Sequence, residues 1–356
     1  MRQAGAYPRQ AHLGIPRVIF ARAGLGIPMV MFATCAQYRL MSYNSRHPTW
    51  QQPFPFFYGL PEEQADEVYL GLKRLFSRDF YKDMMALAMP SRALPAALSF
   101  AAGTFMGGSI SAASLGLGIT MLVSAYCAAA VFNNISDIEG DKLNNPSSPL
   151  ASGRYGLGFA WGLMAFFIAA SLAIGYLVSP AMALLGVFYA FMGVIYSKFT
   201  KGFWPLSYAT LITTHLLVPI AVGYSLAAGH ADAKLLVIVG FIFVTEFFSF
   251  SIKDYKDVEG DKKMGMSTMP ISLGPQTASK LTSFGLILPA FSIWVPLSEF
   301  RLSYLFLILY FAAWLIRASI AKRLVRDQSP GAAAEMVKKY RIILLLQMCA
   351  WCLAWV

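Results

Sequence analysis

The chain has 356 residues, of which 57% are hydrophobic and only 13% charged, with a net charge of +11. Soluble domains are about one-quarter charged, so this composition excludes an ordinary soluble fold and a disordered chain, and four cysteines make no disulfide framework. An all-α polytopic membrane protein fits, and the basic excess then belongs to membrane topology rather than to nucleic acid as a partner.

Residues 1–61 contain six arginines and no acid, with a modest apolar stretch from Ala23 to Ala36. Two readings fit: a basic, acid-poor presequence, or a cytoplasmic arm with an interfacial segment. Residues 62–83, carrying Glu62, Glu63, Asp66 and Glu67, read as an amphipathic lead-in. The transmembrane domain then fills 84–356. Its apolar runs cover 84–108, 109–132, 157–178, 180–197, 207–227, 235–251, 280–297, 303–320 and 340–356. Each approaches the roughly 20 residues that a bilayer core of about 30 Å requires. Pro90, Pro95, Pro180, Pro219 and Pro289 lie in or beside these runs, as lipid-buried helices allow. Cys349 and Cys352 lie one turn apart, with no second pair or histidine cluster to complete a zinc site.

Nine spans put the linkers after the even-numbered spans on the face of the N-terminus. That face holds Lys142, Arg154, Lys198, Lys201, Lys253, Lys256, Lys262, Lys263, Lys322, Arg323, Arg326, Lys338 and Lys339. The opposite linkers hold Lys234 and Arg301. Such a bias makes the basic face cytoplasmic, or its organellar equivalent.

Seven of the 18 acidic residues sit in two short segments on that face. One runs Asn133-Asn-Ile-Ser-Asp137-Ile-Glu-Gly-Asp141-Lys142, the other Lys253-Asp254-Tyr-Lys-Asp257-Val-Glu-Gly-Asp261-Lys262. Repetition after two even-numbered spans suggests two related halves facing one site. On continuing helices Asn133, Asp137 and Asp141 form one stripe, and Asp254, Asp257 and Asp261 another, while Glu139 and Glu259 point elsewhere. Clustered carboxylates repel unless a cation intervenes, and an all-oxygen set with room for water and phosphate favours Mg2+ over zinc. Lys142, Lys253 and the linker Tyr196-Ser-Lys198-Phe-Thr-Lys201 would supply positive charge for an anionic ligand. With aromatic-rich spans around the rim, an isoprenyl diphosphate fits both halves of such a site.

These residues resemble the UbiA superfamily of intramembrane prenyltransferases over about 80–356. The first motif has Asn134 where the family usually places an aspartate. The continuation Pro149-Leu-Ala-Ser152-Gly153 is similar to the homogentisate prenyltransferase branch, as are the second motif and Ser272-Leu-Gly274. That branch has Arg-Pro-His-Thr near its first span, where this chain has Met89-Pro90-Ser91-Arg92, and larger residues where this chain has Ser147-Ser148. The resemblance implies a nine-helix bundle around a central cavity and magnesium-dependent ionisation of a prenyl diphosphate. Asp137, Asp141, Asp257 and Asp261 would be catalytic, and Asn133, Lys142, Tyr196, Lys198, Lys201 and Lys253 would bind substrate. Asn133, Asp137, Asp141, Asp254, Asp257 and Asp261 would hold the metal. The cation is then captured by an aromatic acceptor, or by its own distal double bond as in UbiA-type terpene cyclases. An ion-coupled transporter is the third reading. His215 and Glu246 are open between packing and site roles.

Overall fold

The computed structural model describes residues 77–108 and 110–355, so the arm 1–61 and most of the lead-in lie outside the described residues. The remainder of the lead-in is helix α1, Arg78–Ala88, capped by Ser77 accepting from the Phe80 amide. It stops at Met89, whose left-handed backbone (φ 45°, ψ 47°) precedes Pro90. A residue before proline is forced out of the α region, and proline has no amide to continue the ladder. The first expected span, 84–108, is therefore broken: a 3-10 turn, Pro90–Ala93, leads into α2, Leu94–Gly107.

Helix α3 spans Ala112–Ser136, and the short α4 Ile138–Asn144. Next come α5, Leu157–Val178, α6, Pro180–Thr200, α7, Trp204–Ala228, and α8, Ala233–Lys256. Short helices α9, Val258–Lys263, and α10, Met269–Leu273, precede α11, Pro275–Ser298. The chain closes with α12, Tyr304–Arg326, and α13, Pro330–Leu353. Ser111, Ser179, Asp232, Ser303 and Ser329 each cap a long helix by accepting an amide three residues on, which fixes where those spans start.

Seven of the described helices are long and apolar enough to cross a membrane. At 14 residues, about 21 Å, α2 is shorter than a bilayer core. Charged Glu335, Lys338, Lys339 and Arg341 occupy the first half of α13. Phe166, Leu177, Leu184, Phe291 and Trp294 are exposed on the outside of the bundle, where lipid rather than water is their natural solvent. The chain is an integral membrane protein.

The long helices pack as a ring: α2 on α3, α3 on α5 and α6, α6 on α7, α7 on α8, α8 on α11, α11 on α12, α12 on α13, and α13 back on α2. Across the ring α2 also packs on the second half of α7. Glycine permits that contact. A Cβ on Gly103 would lie 2.0 Å from the Ile220 carbonyl oxygen, and one on Gly223 would lie 2.2 Å from that of Phe100. Both obstacles are backbone, so neither can swing away. Gly103→Leu is expected to destabilise the bundle by at least about 1–3 kcal/mol, read as a lowered unfolding temperature in detergent. Gly116→Leu, at a position with open space, should leave it unchanged.

Candidate active site

Both acidic repeats end a spanning helix with the same backbone device. Asp137 closes α3 at φ −98°, ψ 6°, and Asp257 closes α8 at φ −113°, ψ 8°. A short helix restarts after each, with the Asp141 amide 2.7 Å from the Asp137 carbonyl and the Asp261 amide 2.9 Å from that of Asp257. The stripes expected on continuous α-helix are thus bent at their middle aspartates. The second is further tightened because Ser249–Lys256 is a 3-10 helix. Helices α4 and α9 pack on each other, so the two motifs meet. Glu139 and Glu259 are exposed.

Lysines thread between the carboxylates. Lys201 reaches Asp137 at 2.5 Å, Lys253 reaches Asp254 at 2.7 Å, and Lys256 pairs with Asp257. Asn133 donates to Asp137 at 2.8 Å and accepts from Ser197 at 3.3 Å. Buried Asp254 also accepts from the Tyr208 hydroxyl at 2.5 Å. Burial, with repulsion from Asp137, raises the Asp141 carboxyl above the usual carboxylate range. Burial, then Asp254 and Asp257, push Asp261 up to about 6, against the pull of Lys253 and Lys201. Lys201 opposes the rise at both carboxyls, so its ammonium lies within the field of both motifs.

Asn133 and Lys253, the partners of Asp137 and Asp254, line a cavity of about 480 Å³ together with Tyr196 and Ser197, while the aspartates themselves and Lys201 lie outside its lining. Deeper in the bundle the wall is Tyr126, Tyr189, Met192, Leu211, Thr214 and His215. Arg92 and Arg341 form another part of the wall. Arginine ion pairs among the described residues are Arg154–Asp83, Arg317–Glu246 and Arg323–Glu335, which leaves those two without a carboxylate.

Of the expected substrate-binding residues, Asn133, Tyr196 and Lys253 line the cavity, whereas Lys142, Lys198 and Lys201 do not. Lys142 pairs with Glu139 one turn back on the exposed side of α4, and Lys198 rests over the Phe132 ring. Asn134, the departure in the first motif, points away from the site, and its amide donates to the carbonyls of Leu87 and Ala130. It therefore ties α3 to the end of α1.

Sequence reasoning missed Ser197, Lys256, Tyr126, Tyr189, Tyr340 and Arg341. Lys256 lies inside the second motif and was findable there. The others sit in apolar spans, whose inward face the sequence does not mark.

Glu246 and Arg317 are also resolved. Buried Arg317 donates to Glu246 at 2.7 and 3.2 Å, to Gln347 at 2.6 Å, to Ser249 at 2.7 Å and to the Leu286 carbonyl at 3.1 Å. All five guanidinium protons are used. Glu246 additionally accepts from the hydroxyl of Tyr340, a cavity residue, at 2.6 Å. This network joins α8, α11, α12 and α13 behind the cavity wall.

Among the described residues no three acidic, histidine or cysteine side chains stand close enough to hold an ion alone. Magnesium does not need that. It is held by one or two carboxylates and completes its shell with water and phosphate, which fits this oxygen-only set.

Residues 93–345 match the family model described as the UbiA prenyltransferase family. The chain belongs to the UbiA prenyltransferase family. It is 29% identical over 184 residues to 2-acyl-4-prenylphloroglucinol 6-prenyltransferase of Humulus lupulus, covering 46% of this chain and 42% of the relative. Homogentisate phytyltransferase 1 of Arabidopsis thaliana is 30% identical over 155 residues, covering 40% and 39%. The digeranylgeranylglyceryl phosphate synthase of Methanococcoides burtonii is 30% identical over 174 residues, 48% and 59%. The chain thus spans less than two-thirds of each of these relatives. In fold, this UbiA-family chain is similar to a UbiA homolog from Aeropyrum pernix K1, with TM-score 0.58 at 17% identity over 72% of this chain and 95% of that one. It is also similar to an Archaeoglobus fulgidus UbiA homolog bound to GPP and Mg2+, with TM-score 0.53 at 17% identity over 75% and 99%.

Proposed function

We propose that this protein is a magnesium-dependent enzyme that ionises an isoprenyl diphosphate and transfers the prenyl group to an aromatic acceptor. The observation that carries the reading is the meeting of two carboxylate ridges, laced with lysines and joined through Asn133 and Lys253 to the wall of an aromatic-lined cavity. One or two carboxylates at a time from Asp137, Asp141, Asp254, Asp257 and Asp261, with Asn133, would hold magnesium, whose chemistry when bound is to neutralise the departing diphosphate. The binding of GPP and Mg2+ by the Archaeoglobus homolog supports a prenyl diphosphate with magnesium as the ligand class.

This chain's own residues do the rest. Lys201 and Lys253 add positive charge where the diphosphate leaves. The apolar wall keeps water from the allylic cation, and the faces of Tyr126 and Tyr189 stabilise it, each by about 0.5–2 kcal/mol. The names of the phloroglucinol and homogentisate relatives support an aromatic acceptor. Arg92 and Arg341 supply positive charge for an acidic one. The basic rim carrying the motifs would face the cytoplasm or its organellar equivalent. A second reading, cyclisation to a terpene, is favoured by the aromatic groups Tyr126, Tyr189 and His215 lining the deeper wall, around which a long prenyl chain would fold back on its own head.

Purified protein given C10, C15 and C20 diphosphates, with and without phenolic acids, decides between them. Prenylated phenol is the expected product; hydrocarbon formed without an acceptor would establish cyclisation instead. Lys201→Ala is expected to lower magnesium-dependent diphosphate release by about 10²-fold, because one ammonium lies in the field of both motifs. Lys142→Ala, on the exposed side of α4, should change it less than about threefold by the same logic.

A further inference from the structure

Whichever group captures the cation, the carbocation that follows carbon–carbon bond formation must lose a proton. We propose that His215 is the base that takes it, an inference resting on the prenyl-diphosphate reading above. Helix α7 widens into a π-helical turn at Thr213–Leu217, a deviation that in helices commonly marks a functional position. His215 sits in this turn, about 16 Å along the helix from Trp204, and lines the cavity.

The ring's orientation follows from its partners. Nδ1 lies 3.0 Å from the Leu211 carbonyl and 3.0 Å from the Thr214 hydroxyl oxygen. A carbonyl only accepts, and the Thr214 hydroxyl already donates to the Thr210 carbonyl at 2.8 Å. Nδ1 therefore carries the hydrogen of the neutral ring, and Nε2 keeps its lone pair. Among the described residues Nε2 has no hydrogen-bond partner. The ring is flanked by Tyr126, edge-on at 5.4 Å between centroids, and by Tyr189 at 6.3 Å. A neutral base is thus held between the aromatic faces that would shelter a carbocation.

In the step itself, the C–H bond next to the cationic carbon breaks. Its electron pair restores the aromatic ring or forms the alkene, and the proton bonds to Nε2. It then leaves with the product diphosphate, so no further reactant is required.

The test measures product per diphosphate released, in the same sample, for the wild type and for His215→Gln and His215→Phe, with Mg2+ and C10, C15 and C20 diphosphates with and without phenolic acids. In both variants the deprotonated product should fall by at least about 100-fold per diphosphate released, replaced by prenyl alcohols. An unchanged ratio would overturn the proposal, since the departing diphosphate would then be the base. Loss of diphosphate release in both variants would also overturn it, placing His215 in binding or ionisation. A wild-type protein that releases no diphosphate would instead remove the prenyl-diphosphate reading.

Discussion

Asp257→Ala is expected to lower magnesium-dependent diphosphate release by about 10³-fold or more, and Asp137→Ala by a similar factor. Each of these aspartates is the residue at which its ridge bends, and each is already engaged by a lysine, Lys256 for Asp257 and Lys201 for Asp137. Removing either carboxylate leaves an ammonium without its partner and takes away an oxygen the metal would need. Asp257→Asn separates the two effects, because it keeps the shape while removing the charge. Release of diphosphate from a C15 substrate, measured against magnesium concentration, reads both. Turnover at wild-type level in the alanine variants would take these aspartates out of the reaction, and no turnover even in the wild type would return the acidic ridges to ion transport. Glu259→Ala, exposed beside the second ridge, is the matched control and should have little effect.

The second large effect is structural. Arg317→Met should destabilise the bundle by about 3–5 kcal/mol, because it strands the Glu246 carboxylate in a buried site. The unfolding temperature in detergent should fall steeply, and Glu246→Leu alone should do the same by leaving a guanidinium without its anion. The double variant Arg317→Met/Glu246→Leu is expected to recover much of the loss, since apolar replacement of a buried pair is often neutral. A double variant no better than the worse single one would mean that Gln347, Ser249 and the Leu286 carbonyl carry the stability instead. Tyr340 gives this network a functional edge: without Glu246 its hydroxyl loses its partner at 2.6 Å, and the cavity wall loosens with it.

Length and apolarity made most of the helices legible. Serine and aspartate caps and N1 prolines put spans at Pro180, Ala233 and Tyr304 close to where the apolar runs begin, whereas the last helix starts at Pro330, almost three turns before its run at 340, because its charged first half carries no apolar signal. The break at Met89–Pro90 is marked in the sequence only by a proline, which a lipid-buried helix can also carry unbroken. With the motif-bearing helix α3 tied to the preceding segment through Asn134, the chain turns there rather than running straight. The repeated acidic hexapeptide marks the candidate site because charge is rare in this chain and its repetition stands out. Three things were not legible. A bend at Asp137 and Asp257 is a backbone event with no composition of its own. The pairing of Glu246 with Arg317 joins residues 71 positions apart. The inward placement of Tyr126, Tyr189 and His215 depends on helix rotation, and an all-apolar helix carries no mark of which side faces its neighbours.

The bends at Asp137 and Asp257 divide the labour of the molecule. Asp141 and Asp261 ride on α4 and α9, two short levers outside the ring of long helices, whereas the chamber is shaped by the ring itself. A mutation that shifts a lever alters the grip on the charged head of a ligand and leaves the tail's room unchanged; one that swaps a chamber side chain does the reverse. For the proposed prenyl diphosphate, head affinity and tail length would therefore be separate dials, and a lineage of such proteins could change the hydrocarbon it accepts without rebuilding the jaws that hold it.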